Sequence, residues 1–124
     1  MTIYIAHSRA FDYKKELYEP IKNASFGQKH TLILPHENSE EVSSSKEFFQ
    51  KKCDLVIAEV SQPSTGMGIE LGWADAFNVP IACLHKKGSP ISKSLSTIST
   101  MIFEYTDTDD MITIIQKIIQ NIAF

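Results

Sequence analysis

Hydrophobic and polar positions divide this chain into short apolar runs and longer segments with helical spacing. Runs rich in β-branched and other apolar residues predict five strands, at 2–6, 31–34, 54–60, 80–84 and 100–104. Apolar residues three or four positions apart predict four helices, over about 11–24, 44–52, 69–77 and 109–122. Pro20 falls inside the first helical pattern and predicts a kink or an early end there.

The order of these elements predicts the fold. Strands that alternate with helices indicate a parallel sheet with right-handed crossovers. In 124 residues we expect one domain, 1–124, with a three-layer α/β fold and a five-stranded parallel sheet. The expected strand order is the Rossmann-like or flavodoxin-like 2-1-3-4-5. Such folds bind ligands beyond the carboxyl ends of the strands where the order reverses, which points to residues 7–9 and 61–70.

Charge and composition narrow the classes of partner. Lys and Arg number 12 against 15 for Asp and Glu, a formal charge of −3, which argues against nucleic acid as a partner. The chain has no apolar stretch of membrane-spanning length and no signal-peptide pattern, so we expect a cytoplasmic protein that does not contact a membrane. Cys53 and Cys83 are expected to be buried free thiols. Ligand spacings typical of a metal site are absent, and we expect neither a metal nor a cofactor.

Residues 61–68 have the composition of a loop that could bind an anion. We expect Gly66 and Gly68, directly before a helix, to let the backbone approach a ligand closely, and the helix amino terminus to offer free N–H groups. The hydroxyls of Ser61, Ser64 and Thr65 would add donors. The third glycine of a dinucleotide motif and a Walker lysine are missing, so this pattern alone is shared with many glycine loops.

Glu70 follows this loop and has two interpretations. In the first turn of the predicted helix, a carboxylate is stabilised by the helix dipole by roughly 0.3–1 kcal/mol, with no further role. The same position would also place an ionised carboxylate at the mouth of a pocket. Such a group can attack the anomeric carbon of a sugar or stabilise an oxocarbenium-like transition state.

Residues 54–74, DLVIAEVSQPSTGMGIELGWA, resemble the signature of the nucleoside 2-deoxyribosyltransferase superfamily. The most similar branch is the 2′-deoxynucleoside 5′-monophosphate N-glycosidases, and the opening residues 3–8 and the segment 34–36 also fit. The resemblance implies a cytoplasmic Rossmann-like homodimer that binds a small deoxynucleotide and needs no cofactor. The implied reaction is hydrolysis of the N-glycosidic bond to free base and deoxyribose 5-phosphate.

The resemblance also implies roles for individual residues. Glu70 matches the nucleophile and Tyr4 the tyrosine beside it, while His36 matches a histidine that lines the pocket. Ser64 matches a serine that binds the 5′-phosphate, and Ser94 a second phosphate serine contributed by the partner subunit. Transferases of unphosphorylated nucleosides carry an aspartate at the first of these serine positions. Because an aspartate would repel a phosphate, the serine favours a phosphorylated substrate.

Three further residues are candidates for substrate binding. Ser8 fits the opening pattern of the family, and Arg9 stands next to the position of its arginine, which is Ala10 here. Arg9 can reach a phosphate or lie on the surface as an ordinary arginine. Glu59 ends the third strand near the same mouth, where it can contact substrate or cap neighbouring backbone N–H groups. The sequence leaves these alternatives open.

One position departs from the family pattern. The family has an acidic residue important for catalysis eight positions before Asp54, where this chain has Lys46. Glu47 is adjacent but lies about 100° further around a helix. Lys46 could pair with Glu70, hold a phosphate or face solvent, and a cation cannot accept hydrogen bonds as a carboxylate does.

Three other activities remain open at this stage. A deoxyribosyltransferase would share the first half of the reaction and pass the sugar to a second base. A pocket similar to that of TIR domains would instead cleave a nicotinamide dinucleotide. The lysine at position 46 also allows a nucleotide-binding module with impaired catalysis.

Overall fold

The structure, a computed structural model, describes residues 1–37 and 46–122. Five strands form one all-parallel sheet in the order β2-β1-β3-β4-β5. They are β1 (Thr2–His7), β2 (Thr31–Ile33), β3 (Leu55–Glu59), β4 (Ile81–Lys86) and β5 (Met101–Tyr105). The predicted α/β class and strand order are confirmed, and every predicted strand exists within two residues of its expected ends.

Helices pack on both faces of the sheet. They are a π-helical stretch (Lys14–Tyr18), α1 (Glu19–Asn23), α2 (Phe26–Lys29), α3 (Lys46–Lys51), α4 (Thr65–Ala76), a 3-10 helix (Lys93–Thr97) and α5 (Thr108–Ile122). The single helix predicted over 11–24 is therefore wrong in detail, because π-helical and α-helical segments share that region. Pro20 lies in the first turn of α1, directly after the π-helical stretch. The predicted start of α3 at residue 44 lies outside the described residues.

The central strand β3 is buried at all five positions, as its continuous apolar pattern predicts. Leu55 and Ile57 face one hydrophobic cluster, which includes side chains of α1 and α5. Val56 and Ala58 face a second cluster, which includes side chains of α3 and α4. The register pairs His7 at the end of β1 with Glu59 at the end of β3, so both strands end at the same edge of the sheet.

The start of α4 corrects the sequence prediction by four residues. Its amino terminus is capped by Ser64, whose Oγ accepts a hydrogen bond from the Met67 N–H at 3.3 Å. Gly66 and Gly68 therefore lie inside the helix, and Glu70 lies in its second turn rather than its first. An N-cap serine contributes about 1 kcal/mol, and burial of Met67 and other apolar side chains of α4 adds to it. Together these effects outweigh the poor helix propensity of the three glycines of α4, Gly66, Gly68 and Gly72.

Both cysteines are free. Cys83 is buried and Cys53 is partly buried. Burial raises the pKa of each thiol to about 11, so both stay protonated near neutral pH. Within residues 1–37 and 46–122, no helix combines the length and the apolar character needed to cross a lipid bilayer.

Candidate active site

A cavity of about 340 Å³ lies where β1 and β3 end, at the predicted position. Side chains from the end of β1, from the segment after β2 and from the first turns of α4 form its walls. Six of the ten residues predicted for the site line it: Tyr4, Arg9, His36, Ser64, Gly66 and Glu70. The topology therefore brings together residues that are up to 66 positions apart in the chain.

Glu70 and Tyr4 form the centre of this cavity. The Tyr4 O–H donates a hydrogen bond to Oε2 of Glu70. Tyr4 is only 2% exposed and packs against the ring of Phe49 at a centroid distance of 4.7 Å. Glu70 is half-buried and lines the cavity. A rigid donor from the sheet thus fixes the orientation of a carboxylate that reaches a space large enough for a ligand.

Ser64 and Gly66 form the rim of the cavity at the amino terminus of α4. The Oγ of Ser64 accepts its capping bond from an N–H group, so its hydroxyl proton remains to be donated to a ligand. A Cβ atom built on Gly66 would meet no other atom within 4 Å. The backbone therefore borders open space there, which suits the close approach of an anionic group to a helix amino terminus.

His7, in the cavity wall, forms a buried hydrogen-bonded pair with Tyr18. His7 is 4% exposed, donates from Nδ1 to the Ser8 carbonyl at 2.7 Å and accepts at Nε2 from the Tyr18 O–H at 2.6 Å. Burial is the largest influence on His7 and lowers its pKa to about 4, so the ring is neutral near pH 7. The Tyr18 oxygen also accepts the backbone N–H of His36 at 3.1 Å.

This pair attaches the segment that follows β2 to the end of β1. Burial raises the pKa of Tyr18, which therefore keeps its proton and its place in the pair. Nδ1 of His36, in the cavity wall, is buried with no hydrogen-bond partner in the described part of the chain. The hydrogen-bonding role of Tyr18 is not predicted from the sequence, because its position in a helical pattern indicates only an apolar packing residue.

Four predicted residues do not line the cavity. Ser8 is 3% exposed, and its Oγ accepts the Ala10 N–H at 3.0 Å. Gly68 and Ser94 line a separate cavity of about 650 Å³, which shares Ser64 with the first one. Within one copy of the chain, Ser8, Gly68 and Ser94 therefore lie away from the Glu70 cavity. The resemblance places Ser94 at the cavity of a partner subunit, so its position here agrees with that expectation without testing it.

Glu59 also lies outside the Glu70 cavity. Its carboxylate is 3% exposed and accepts hydrogen bonds from the Ser61 N–H at 2.6 Å, the Ser61 hydroxyl at 3.0 Å and the Tyr105 hydroxyl. It borders a smaller cavity of about 190 Å³ rather than the one that contains Glu70. Of its two interpretations from sequence, the capping of neighbouring backbone is the one seen.

The lysine at the acidic position of the family begins α3. Lys46 is exposed and is not among the described residues that line the Glu70 cavity. Glu47 is also exposed and pairs with Lys51 at 2.9 Å, one helical turn later. Neither side chain therefore takes the place of the missing carboxylate. Across residues 1–37 and 46–122, no three His, Cys, Asp or Glu side chains are grouped so that they could hold a metal ion.

Comparison of the whole fold finds a similar solved structure. The structure of the CMP N-glycosidase BcmB from Clostridium botulinum matches with a TM-score of 0.70, over 95% of this chain and 99% of the other. The sequence identity is 20%, so this match establishes the fold. This match agrees with the observed three-layer α/β fold, whose sheet has the strand order 2-1-3-4-5.

Sequence comparison gives relatives of the same kind. A Syntrophotalea carbinolica protein provisionally named 2′-deoxynucleoside 5′-phosphate N-hydrolase 1 is 43% identical over 53 residues, which cover 43% of this chain and 34% of the relative. The human 5-hydroxymethyl-dUMP N-hydrolase is 54% identical over 39 residues, which cover 32% of this chain and 22% of the relative. The matched segments thus span about a third or less of these relatives. No family model matches the sequence. The resemblance to deoxynucleotide N-glycosidases is confirmed by these relatives.

Proposed function

We propose that this protein hydrolyses the N-glycosidic bond of a 2′-deoxynucleoside 5′-monophosphate, with Glu70 as the nucleophile. The observation that carries the proposal is the Glu70 carboxylate itself. It is oriented by the Tyr4 hydroxyl and lines a 340 Å³ cavity whose rim carries the Ser64 hydroxyl. The names of the sequence relatives support the same class of reaction.

The chemistry of a carboxylate beside a sugar defines the steps. One oxygen of Glu70 attacks C1′ while the bond from C1′ to the base nitrogen breaks, and the base leaves with that electron pair and takes up a proton. The products of this step are free base and a glycosyl ester on Glu70. Water then attacks C1′, which releases deoxyribose 5-phosphate and restores the carboxylate. The substrate has no 2′-hydroxyl to withdraw electrons, so the positively charged transition state forms more easily.

Tyr4 has a positioning part in this scheme. Its hydrogen bond holds one oxygen of Glu70, which leaves the orientation of the other fixed relative to the cavity. The tyrosine is buried in the sheet, so it contributes this order without losing freedom on substrate binding. A prearranged nucleophile lowers the barrier because its orientation does not have to be created during the reaction.

Ser64 supports a phosphorylated substrate. Its hydroxyl proton and the first N–H groups of α4 can donate to phosphate oxygens, and an uncharged donor does not repel them. Arg9 lines the same cavity and adds a positive charge to it. His36 lines the cavity from the segment after β2, where it can contact the sugar or the base.

We also propose that the working unit is a homodimer, as the resemblance implies. Ile69 on α4 is 50% exposed and lines the cavity beside Glu70. A second copy of the chain packed on α4 would cover Ile69. Sedimentation velocity should give a dimer for the wild type and a monomer for Ile69→Lys, and a wild-type monomer at micromolar concentration would overturn this part of the proposal.

The experiment that tests the proposed function is chromatography of deoxy- and ribonucleotides after incubation with the wild type and with Glu70→Ala. We expect free base and deoxyribose 5-phosphate from at least one deoxynucleoside monophosphate with the wild type, and neither product with the variant. Equal base release by both proteins would contradict the role of Glu70. Including CMP tests whether a 2′-hydroxyl is tolerated, since the structural relative is named for that nucleotide.

The alternative of deoxyribosyl transfer is separated by adding a second nucleobase in excess. A hydrolase forms the sugar phosphate under these conditions, whereas a transferase forms a new nucleotide. An impaired binding module would release no base even at high protein concentration, although a nucleotide would raise its melting temperature. Lys46 is exposed and does not line the Glu70 cavity, so base release by the wild type is the measurement that decides between hydrolysis and impairment.

A further inference from the structure

Glu59 is a buried charged residue that the proposed reaction does not use. It is the last residue of β3, and its carboxylate is 3% exposed with three hydrogen-bond donors around it. Two of those donors belong to Ser61, and the third is the hydroxyl of Tyr105 at the end of β5. The carboxylate thus connects the loop after β3 to a strand two positions away in the sheet.

The loop residue that Glu59 holds is fixed from a second side as well. Oγ of Ser61 accepts the backbone N–H of Lys86, at the end of β4, at 2.8 Å. Ser61 therefore donates its hydroxyl proton to Glu59 and accepts from Lys86, which uses both capacities of its side chain. This arrangement allows little freedom for the start of the loop.

Only three peptide bonds separate this anchored residue from the proposed phosphate donor, Ser64. Residues 61–64 lead from Ser61 to Ser64, and Pro63, whose ring fixes φ near −65°, lies between them. Ser64 in turn caps α4 and lines the cavity. A short segment that is fixed at both ends and stiffened by proline transmits the position of its first residue to its last.

We propose that Glu59 is a positioning residue that presets the Ser64 hydroxyl for the 5′-phosphate of the substrate. This inference rests on the proposed function and deepens it. Glu59 acts through the 61–64 loop and does not touch the substrate, so its effect is confined to ligands that carry a phosphate. The chemical step at Glu70 does not depend on it.

The chemistry of the cluster requires a carboxylate rather than an amide. All three groups that face Glu59 are donors, and a carboxylate accepts from all of them. Burial raises the pKa of Tyr105, and the hydrogen bond to Glu59 raises it further, so this hydroxyl keeps its proton to donate. Glu59→Gln keeps the shape but turns two hydrogens of an NH₂ group toward these donors.

The test is a double-mutant cycle of Glu59→Gln with Ser64→Ala. In the wild-type background, Glu59→Gln should raise KM for the monophosphate about tenfold, the size expected for a weakened hydrogen bond to a charged group, and change kcat less than about threefold. In the Ser64→Ala background, the same change should raise KM less than about twofold, because the donor it positions is gone. Its effect on the corresponding unphosphorylated deoxynucleoside should also be less than about twofold.

Equal effects of Glu59→Gln in both backgrounds, or an equal loss of activity on the nucleoside, would overturn the positioning role. Ser61→Ala provides a second route if Glu59→Gln fails to fold, since it removes one bond to Glu59 and the bond from Lys86. It should reproduce the phosphate-specific rise in KM. Glu59→Asp keeps a carboxylate on a shorter side chain, so it should raise KM for the monophosphate less than Glu59→Gln does. A larger rise in KM for Glu59→Asp would indicate a packing defect instead of a positioning role.

A binding experiment separates failure of this inference from failure of the proposed function. If the wild type releases no base, titration calorimetry gives the Kd for deoxyribose 5-phosphate instead of KM. The double-mutant cycle of Glu59→Gln with Ser64→Ala is then evaluated from these Kd values. Weaker binding by Glu59→Gln only when Ser64 is present supports the inference even then. Equal binding by wild type and Glu59→Gln, or no binding by the wild type, would overturn it.

Discussion

Two glutamates of this protein each accept a hydrogen bond from a tyrosine that lies in the sheet, yet their surroundings differ. Tyr4 donates to Glu70, which is half-buried and lines a 340 Å³ cavity. Tyr105 donates to Glu59, which is 3% exposed and receives two more hydrogen bonds from Ser61. The pairs have the same chemistry but different access to a ligand.

This difference indicates how one fold assigns roles to two carboxylates. A carboxylate whose acceptor sites are filled by protein donors fixes the backbone around it. A carboxylate that is oriented on one side and borders a cavity on another can meet a substrate. Ser64 connects the two glutamates, because the loop that Glu59 holds leads to the Ser64 hydroxyl at the rim of the Glu70 cavity. The predictions below test this division.

The largest expected effect tests the proposal that Glu70 is the nucleophile rather than an ordinary carboxylate. Glu70→Gln should lower kcat for the best deoxynucleotide about a thousandfold or more, because an amide cannot attack C1′. Glu47→Gln is the matched control, since this exposed glutamate pairs with Lys51 and does not line the cavity. It should retain kcat within about twofold. A similar loss in both variants would remove the distinction.

The second prediction concerns the buried histidine in the wall of the Glu70 cavity. The unfolded chain protonates His7 as pH falls below about 6.5, whereas the folded chain does so only near its lowered pKa of about 4. Stability from this group is therefore present at pH 7 and lost as pH falls, by up to roughly 3 kcal/mol between these values. Urea unfolding at pH 7, 5.5 and 4 should show this loss for the wild type relative to His7→Gln. Parallel pH profiles would contradict the buried neutral ring.

The third prediction concerns the residue that connects the two glutamates. Ser64→Ala should raise KM for the monophosphate about tenfold or more through loss of a donor to a charged group. It should also lower the free energy of unfolding by about 1 kcal/mol through loss of the N-cap. Thr65→Ala removes the neighbouring exposed hydroxyl, which lines only the 650 Å³ cavity, and should change KM less than about twofold. Equal shifts in KM for both variants would argue against phosphate binding at Ser64.

The smallest expected effect separates the two tyrosines. Tyr4→Phe should lower kcat about tenfold, because Glu70 loses the charge-assisted bond that orients it. Tyr105→Phe should have a smaller effect on kcat and should mainly lower the free energy of unfolding, by about 1–2 kcal/mol, since it leaves a buried carboxylate with one donor fewer. Steady-state kinetics and urea unfolding of both variants provide the measurement. A reversed order of the kcat effects would contradict the assignment.

Much of the fold follows from local sequence pattern. The continuous apolar run before Glu59 predicts a strand covered on both faces, and β3 is buried throughout. The alternation of strands and helices then predicts the parallel order, which in turn locates the cavity between β1 and β3. These inferences succeed because they depend on periodicity, which the chain expresses over many residues.

The details that sequence could not predict depend on distant partners. The carboxylate of Glu59 is directed by Tyr105, which lies 46 positions later in the chain. The hydrogen bond between His7 and Tyr18 joins β1 to the π-helical stretch, so it depends on how these two elements pack together. The helix α4 begins four residues earlier than predicted, because capping by Ser64 and packing of the helix outweigh the poor helix propensity of glycine.

The central claim is that a carboxylate oxygen of Glu70 forms a bond to the sugar, and a single-turnover experiment tests it most directly. The wild type, in excess over its best deoxynucleoside monophosphate, is quenched with acid at successive times, digested and examined by mass spectrometry. If Glu70 forms this bond, the peptide containing Glu70 should transiently gain the mass of a deoxyribose 5-phosphate residue as base is released. A sugar phosphate on a peptide without Glu70, or base release with every peptide unchanged at all times, would contradict it.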